Sequence, residues 1–546
     1  MKWEQIEAEL NELLNFQINN EEDFENFINK VTDFSDKIQE EHGWKYIKMS
    51  INADKKEYQK AYEEFQKNIL ANLKPYEQKL KEKILENQDF ASEKYRHLVE
   101  IVKNEIELFR EENIPLQVKE NILSKNYGAI VGSVEVEFEG EKKTLQQLSV
   151  YLKEPNRDKR EAAWKKRFEG ICSVKNKLND LFDELKDLRH QQALNAGFKN
   201  YRDYIHRLKG RFEYSPEDLF EFHSAVEKEV VPYLKERTEV RRKKLKLDSV
   251  KPWDTSVDVD GKVFKPFKTI EEFVEKAQNV LEKVDIEFGK RFRLMKEKRL
   301  LDLENRKGKA PGGFNYTLPK TKAPFIFMNA VGQSGDVRTI FHESGHSMHS
   351  FETLHLPAFY RINRMEVAEL ASMAMELITM KHWDEFYNDE DLKKMQLEEL
   401  EGTLSFLPWC MIVDAFQHWI YTNVNHTPKE REEYFAYLMD RFNPGIDWNN
   451  LNEEKKTRWL FQMHIFEVPF YYIEYGIAQI GALAIYRNYL AEPEKTLENY
   501  KKFLATGCSM PINKVYEIAG IEMNFSREYL KEIVDFVASE IEKLED

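Results

Sequence analysis

Cysteine is scarce: Cys172, Cys410 and Cys508 are the only three in 546 residues. Thiols so few and so far apart exclude a disulfide framework, and none has zinc-finger spacing, so a reducing, cytoplasmic location is expected. Glycine and proline are also few, 38 of 546 residues or about 7%, against about 12% on average. With 33% charged residues, that shortage of chain breakers argues for a mostly helical protein. A basic excess is missing too. Eighty-two Lys and Arg against 97 Asp and Glu leave a net charge of −15, which argues against nucleic acid as a partner. The local basic run Arg237 to Lys246 is expected to be a solvated stretch of helix. The N-terminal MKWEQIEAEL lacks the apolar core of a secretory signal. The most apolar stretch, Val468 to Tyr486, carries Glu474, Gln479 and four tyrosines, so a buried core helix is expected there and no membrane partner.

What is present excludes disorder: 42% hydrophobic and 13% aromatic residues can fill a large core. Residues 1 to about 125 pattern as successive amphipathic helices, as in Leu80, Ile84 and Leu85 or Leu98, Ile101 and Val102. Val134 to Phe138 alternates apolar and charged residues before Glu139-Gly140-Glu141, which predicts a small hairpin. Ser215-Pro216-Glu217-Asp218 is a helix start, and Thr269 to Glu272 matches a capping box. Arg306 to Asn329 is rich in Gly and Pro and predicts loop, with a short apolar β segment from Pro324 to Met328. Helices are expected to fill the remainder, the last from Ser526 to Glu545.

Directly after that β segment comes Ser334 to Phe351, which contains His342-Glu343-x-x-His346. On a helix, positions i and i+4 share a face, so both imidazoles can reach one metal at about 2.0–2.1 Å. Glu343 is placed to take a proton from a metal-activated water. A chance match is expected about 0.03 times in a chain of this composition. Ser334 or Asp336 can cap the helix, and Val337, Ile340 and Phe341 give it an apolar face. A third protein ligand is needed while one position stays open. The next helix, about Glu366 to Met380, offers Glu369 on an apolar surface, with Glu366 and Glu376 as competitors.

The two segments HESGHSMHSF and EVAELASMAME together resemble the thimet-oligopeptidase and oligoendopeptidase F superfamily of zinc peptidases. That resemblance implies His342, His346 and Glu369 as zinc ligands and Glu343 as general base. Glu376, one heptad further on, would then orient a ligand histidine. Met463 to Gln479 (MHIFEVPFYYIEYGIAQ) resembles the family's segment of one histidine and several tyrosines facing the metal. It implies Tyr475 as oxyanion donor, with His464 and Tyr472 as helpers. Tyr475 shares a helical face with Tyr472, and from one helix Tyr471, Tyr472 and Tyr475 are not expected to face one site together. His349, His355 and the Met373–Met375 pair are expected to be packing or loop residues. PFYYIEY and GKAPGGF resemble the Pz-peptidase-like oligoendopeptidase branch. The similarity covers about residues 130–540, and Ser344 departs from the bulkier residue of many relatives.

The resemblance implies a mainly α, two-lobed fold with a small β-sheet beside the motif helix and a deep substrate channel. The expected division is an N-terminal helical lobe over 1–200 and a catalytic lobe over 201–546. The implied function is a zinc-dependent oligoendopeptidase acting on short unfolded peptides, with one zinc ion. A zinc carboxypeptidase and a non-catalytic helical peptide-binding protein are the alternatives. An extended peptide is expected to add to the edge of the Pro324–Asn329 strand. The sequence leaves the oligomeric state open.

Overall fold

The computed structural model describes residues 2–262, 264–361 and 364–546. It is mainly α, with a two-stranded and a three-stranded sheet. Predicted helix starts form where side chains meet free backbone N–H groups. The Ser215 hydroxyl accepts from Asp218 N at 3.2 Å, and Asp218 returns a bond to Ser215 N. Thr269 accepts from Glu272 N, but Glu272 reaches back to Lys268 N instead of closing a box. The hairpin pairs β1 (Glu135–Phe138) with β2 (Glu141–Thr144) through Glu139 and Gly140, both at positive φ. Among the described residues no helix is long and apolar enough to cross a membrane.

The chain separates into two compact units that interleave along the sequence. The first comprises residues 1–107, 264–397 and 478–523; the second comprises 108–263, 398–477 and 524–546. This differs from a division at residue 200. Tyr201 lies 4.9 Å from Tyr421 between ring centroids, and Arg189 donates to the same Tyr421 hydroxyl at 2.8 Å. Chain on both sides of residue 200 therefore shares one core.

In the first unit, helices Trp3–Asn15 and Glu21–Ile51 bury Leu10, Phe24, Phe27 and Ile28. Tyr360 joins this core, donating to Lys94 O at 2.8 Å and accepting from Leu98 N at 3.2 Å. The three-stranded sheet of this unit has the order β3 (Leu301–Glu304), β5 (Ala323–Ala330), β4 (Phe314–Leu318). Strand β5 is thus central, parallel to β3 and antiparallel to β4. The expectation that a peptide adds to the edge of β5 fails for most of the strand, because β4 takes one edge over Ala323–Phe327 and β3 the other from Ile326 to Ala330. The Gly- and Pro-rich segment before it conceals β4, which forms a hairpin with β5 across residues 319–322.

The alternation of β4 divides its side chains. Phe314 and Tyr316 face helix Glu21–Ile51, where Tyr316 Oη meets His42 Nδ1 at 2.7 Å. Asn315 and Thr317 face the motif helix, Ser334–Thr353. Asn315 Nδ2 donates to Ser347 Oγ at 2.7 Å, and Thr317 Oγ1 meets Ser350 Oγ at 2.8 Å.

In the second unit, Arg189 is fully buried and paired with Glu120 at 2.6 Å. Val468 to Tyr486 does not form one helix. A short helix ends at Glu467 and the next begins at Tyr472. Pro469 drives its predecessor out of helical backbone, and Val468 takes φ −139, ψ 71. Phe470 follows at φ 58, held by Gln417 Oε1, which accepts from its N–H at 2.8 Å. The buried Glu474 is answered by Arg211 at 2.6 Å and Lys209 at 3.0 Å. Nor is the basic run merely solvated: Arg237 pairs with both Glu401 and Glu545.

Candidate metal centre

Helix Ser334–Thr353 starts under the Asp336 carboxylate, which accepts from Val331 N at 2.8 Å and Gln333 N at 2.9 Å. Of the two expected caps, Asp336 is the one used. Val337, Ile340 and Phe341 are buried, so the opposite face presents His342 and His346 to helix Met365–Met380. Gly345 decides how near that second helix comes. A Cβ on it would sit 2.6 Å from both Ala371 O and Ser372 Cα. Only glycine permits this crossing.

The crossing brings three ligand atoms, one each from His342, His346 and Glu369, within 4.8 Å of one another. Glu369 Oε2 lies 3.4 Å from His342 Nε2 and 3.7 Å from His346 Nε2. A tetrahedral ion with bonds of about 2.1 Å separates its donors by about 3.4 Å. Ser372 Oγ donates to Glu369 Oε2 at 2.9 Å and orients it. Glu376 Oε1 accepts from His342 Nδ1 at 2.6 Å, which turns the lone pair of Nε2 toward Glu369. Glu366, the remaining competitor, is buried and lies 4.0 Å from Arg364 Nη2.

Electrostatics also favours a cation here. Burial opposes charge on His342, yet the hydrogen bond to Glu376 and the carboxylates of Glu376, Glu369 and Glu343 raise its pKa to about 9. Burial, then His342, keeps His346 neutral. Glu343 is 6% exposed; burial pushes its carboxyl up to about 7, with Glu369 and Glu376 adding to the rise. Its Oε2 has no hydrogen-bond partner. A buried carboxyl with an orphaned oxygen, beside two imidazoles and a further carboxylate, fits a divalent cation and a water.

The strands crowd Glu343 as well. A Cβ on Gly313 would lie 3.3 Å from Phe327 O and 3.7 Å from Glu343 Oε1. Asn329 Nδ2 ties the loop down through Ala310 O at 2.9 Å and Gly312 O at 2.8 Å. Close approach at Gly313 was expected from the sequence, whereas Asn315 and the packing role of Gly345 were missed; a glycine inside the motif helix was the available signal. His349 is buried against Phe503, as expected of a packing residue.

His464, Tyr472 and Tyr475 lie in the second unit. Tyr127 Oη donates to Leu460 O at 2.9 Å and Arg189 Nη1 to Ile465 O at 3.3 Å, which fixes the segment bearing His464. Trp409 Nε1 donates to Gln462 Oε1 at 2.9 Å, so the amide turns its nitrogen to His464 Nδ1 at 2.7 Å. That leaves the proton on His464 Nε2, and burial lowers the ring's pKa to about 4. Tyr471, Tyr472 and Tyr475 all gather round this imidazole, with centroids at 6.0, 4.8 and 6.2 Å. They do not do so from one helix: Tyr471 precedes the helix that carries Tyr472 and Tyr475.

The profile of peptidase family M3 matches residues 150–535. An oligoendopeptidase F homologue of Borreliella burgdorferi is 29% identical over 307 residues, 54% of this chain and 50% of that protein. Oligopeptidase PepF of Bacillus subtilis is 25% identical over 56% of this chain and 46% of its own length. These alignments span about half the length of either relative. The solved structure of Pz peptidase A with inhibitor 2 superimposes with a TM-score of 0.90 at 27% identity, covering 100% of this chain and 98% of that one. With more than two thirds of its length matched, the chain belongs to peptidase family M3.

Proposed function

We propose that this protein is a zinc-dependent oligoendopeptidase that cuts internal bonds of short, unfolded peptides. The observation that carries the reading is the meeting of two imidazoles and a carboxylate beside a buried, unpartnered Glu343 oxygen. The names of its relatives and family support an oligopeptidase. Two imidazoles with one carboxylate, leaving a fourth position open, suit zinc. When bound, zinc polarises the scissile carbonyl and brings the pKa of water to about 7.

Glu343 takes the proton of the attacking water and hands it to the leaving amine. Burial raises the proton affinity of that carboxyl, which suits a group that must take up a proton before passing it on. Glu376 holds the His342 ring and its tautomer. On the family resemblance, Tyr475, with His464 and Tyr472, donates to the developing oxyanion. A neutral His464 bearing its proton on Nε2 is a competent donor. Three thiols without a disulfide suit the cytoplasm.

Digestion of a peptide library blocked at both ends tests this reading. The zinc-loaded wild type is expected to cut internal bonds, and Glu343→Gln to lose at least about 10³-fold in rate while keeping its zinc. Equal activity of the two proteins, or failure to cut any blocked peptide, would overturn it.

A further inference from the structure

The second unit handles its buried arginines in a regular way. Arg160 pairs with Asp254 at 2.9 Å, Arg189 with Glu120 at 2.6 Å, Arg211 with Glu474 at 2.6 Å and Arg431 with Asp183 at 2.7 Å. Two arginines depart from this pattern. Arg167, on helix Arg157–Ser173, lies over the Phe461 ring at 5.3 Å, and its Nε is buried without a hydrogen-bond partner. Arg458 lies over Trp409 at 4.5 Å and Trp448 at 5.6 Å. Among the described residues, neither guanidinium has a carboxylate partner, and the only charged group acting on Arg458 is Arg167. Burial and that like charge together hold Arg458 down to about 10, against the smaller opposing effect of Tyr472.

Arg167 lies on the ring of Phe461, and Arg458 opens the same short helical turn, Arg458–Phe461, so two half-buried cations share one aromatic neighbourhood without a counter-ion, which is costly unless an anion joins them. Their planar forks match a carboxylate, which can accept from both. Trp409 carries the pair to the candidate oxyanion donors, since its Nε1 holds Gln462, which holds His464.

We propose that Arg167 and Arg458 form a carboxylate-binding subsite, and that its occupant is the free C-terminal carboxylate of a bound peptide. The proposal rests on the peptidase reading, because peptides of any sequence share that one anionic group. Gripping the chain end rather than a side chain gives affinity for short peptides with little sequence preference.

Binding to the zinc-loaded Glu343→Gln protein, which does not consume the ligand, provides the test. Three fluorescent peptides of one parent sequence are compared: free acid, C-terminal amide, and amide with an added glutamate near its end. The free acid is expected to bind about 10–100-fold more tightly than either amide, the span of charge-assisted hydrogen bonds. Adding Arg458→Met is expected to abolish that difference without lowering the thermal midpoint, since an unpaired buried charge is removed. A residue that merely supports the fold would lower the midpoint instead. Should Arg458→Met fail to fold, Arg167→Gln is expected to reduce the same ratio. Equal binding of acid and amide would overturn the subsite, and tight binding of the glutamate-bearing amide would overturn the chain end as its occupant. Cleavage of end-blocked peptides by the wild type reports separately on the peptidase reading, so either idea can fail alone.

Discussion

At the scale of single residues, the candidate metal centre depends on orientation as much as on donor type. His342 has two ring nitrogens, and Glu376 at 2.6 Å from Nδ1 leaves Nε2 to face Glu369. Glu376→Gln keeps the shape but removes the charge that fixes the tautomer. Metal affinity, followed by competition with a chromogenic chelator, is expected to fall about 10–100-fold. Unchanged affinity would remove Glu376 from this role. In the sequence Glu369, on its apolar surface and by the resemblance, stands ahead of Glu366 and Glu376 on the same helix. Their surroundings separate them: a Ser372 hydroxyl and two imidazoles for Glu369, one imidazole for Glu376, Arg364 for Glu366.

At the scale of elements, the centre exists because two helices approach unusually closely. The space a methyl group would need at Gly345 is filled by the backbone of Ala371 and Ser372. Gly345→Ala must push helix Met365–Met380 outward and carry Glu369 away from the imidazoles. A loss of about 1–3 kcal/mol is expected in urea unfolding, typical of overpacking, together with weakened metal binding in the same chelator assay. A variant with wild-type affinity would show that the crossing tolerates a side chain. The motif helix was legible because its pattern is local: a capping Asp336, an apolar face and two histidines four apart. The break at Val468 to Tyr471 was written in Pro469, yet the apolar run around it suggested continuity. Strand β4 was illegible although it pairs with the very next strand, because Gly312, Gly313 and Pro319 around it signal loop.

At the scale of the whole molecule, buried neutral histidines set the response to acid. Burial lowers His206, His349 and His426 to about 4, from an ordinary 6.5. His206 Nε2 donates to Tyr214 O at 2.7 Å, and His426 Nε2 accepts from Arg431 Nη1 at 3.2 Å, an acceptance the protonated ring cannot make. The unfolded chain therefore binds more protons than the folded one between about 6.5 and 4. Stability from these groups is complete above about 6.5 and is lost as pH falls toward 4. Urea midpoints taken from pH 7.5 to 5 are expected to decline, and His426→Gln to flatten the decline. A midpoint independent of pH over that range would contradict the burial of these rings as neutral groups.

Short-range physics let the sequence alone determine the helical character, the helix starts, the hairpin and the placing of His342, Glu343 and His346 along one turn and a third, since each depends on neighbours within a few residues. Tertiary structure alone decided how the chain interleaves into two units, that β5 also takes β3 as a partner, and how near helix Met365–Met380 comes to the motif helix. Those outcomes rest on contacts between segments tens to hundreds of residues apart, where a glycine's missing methyl or a proline's fixed ring sets the approach, and no periodicity along the chain encodes which distant surface will be met.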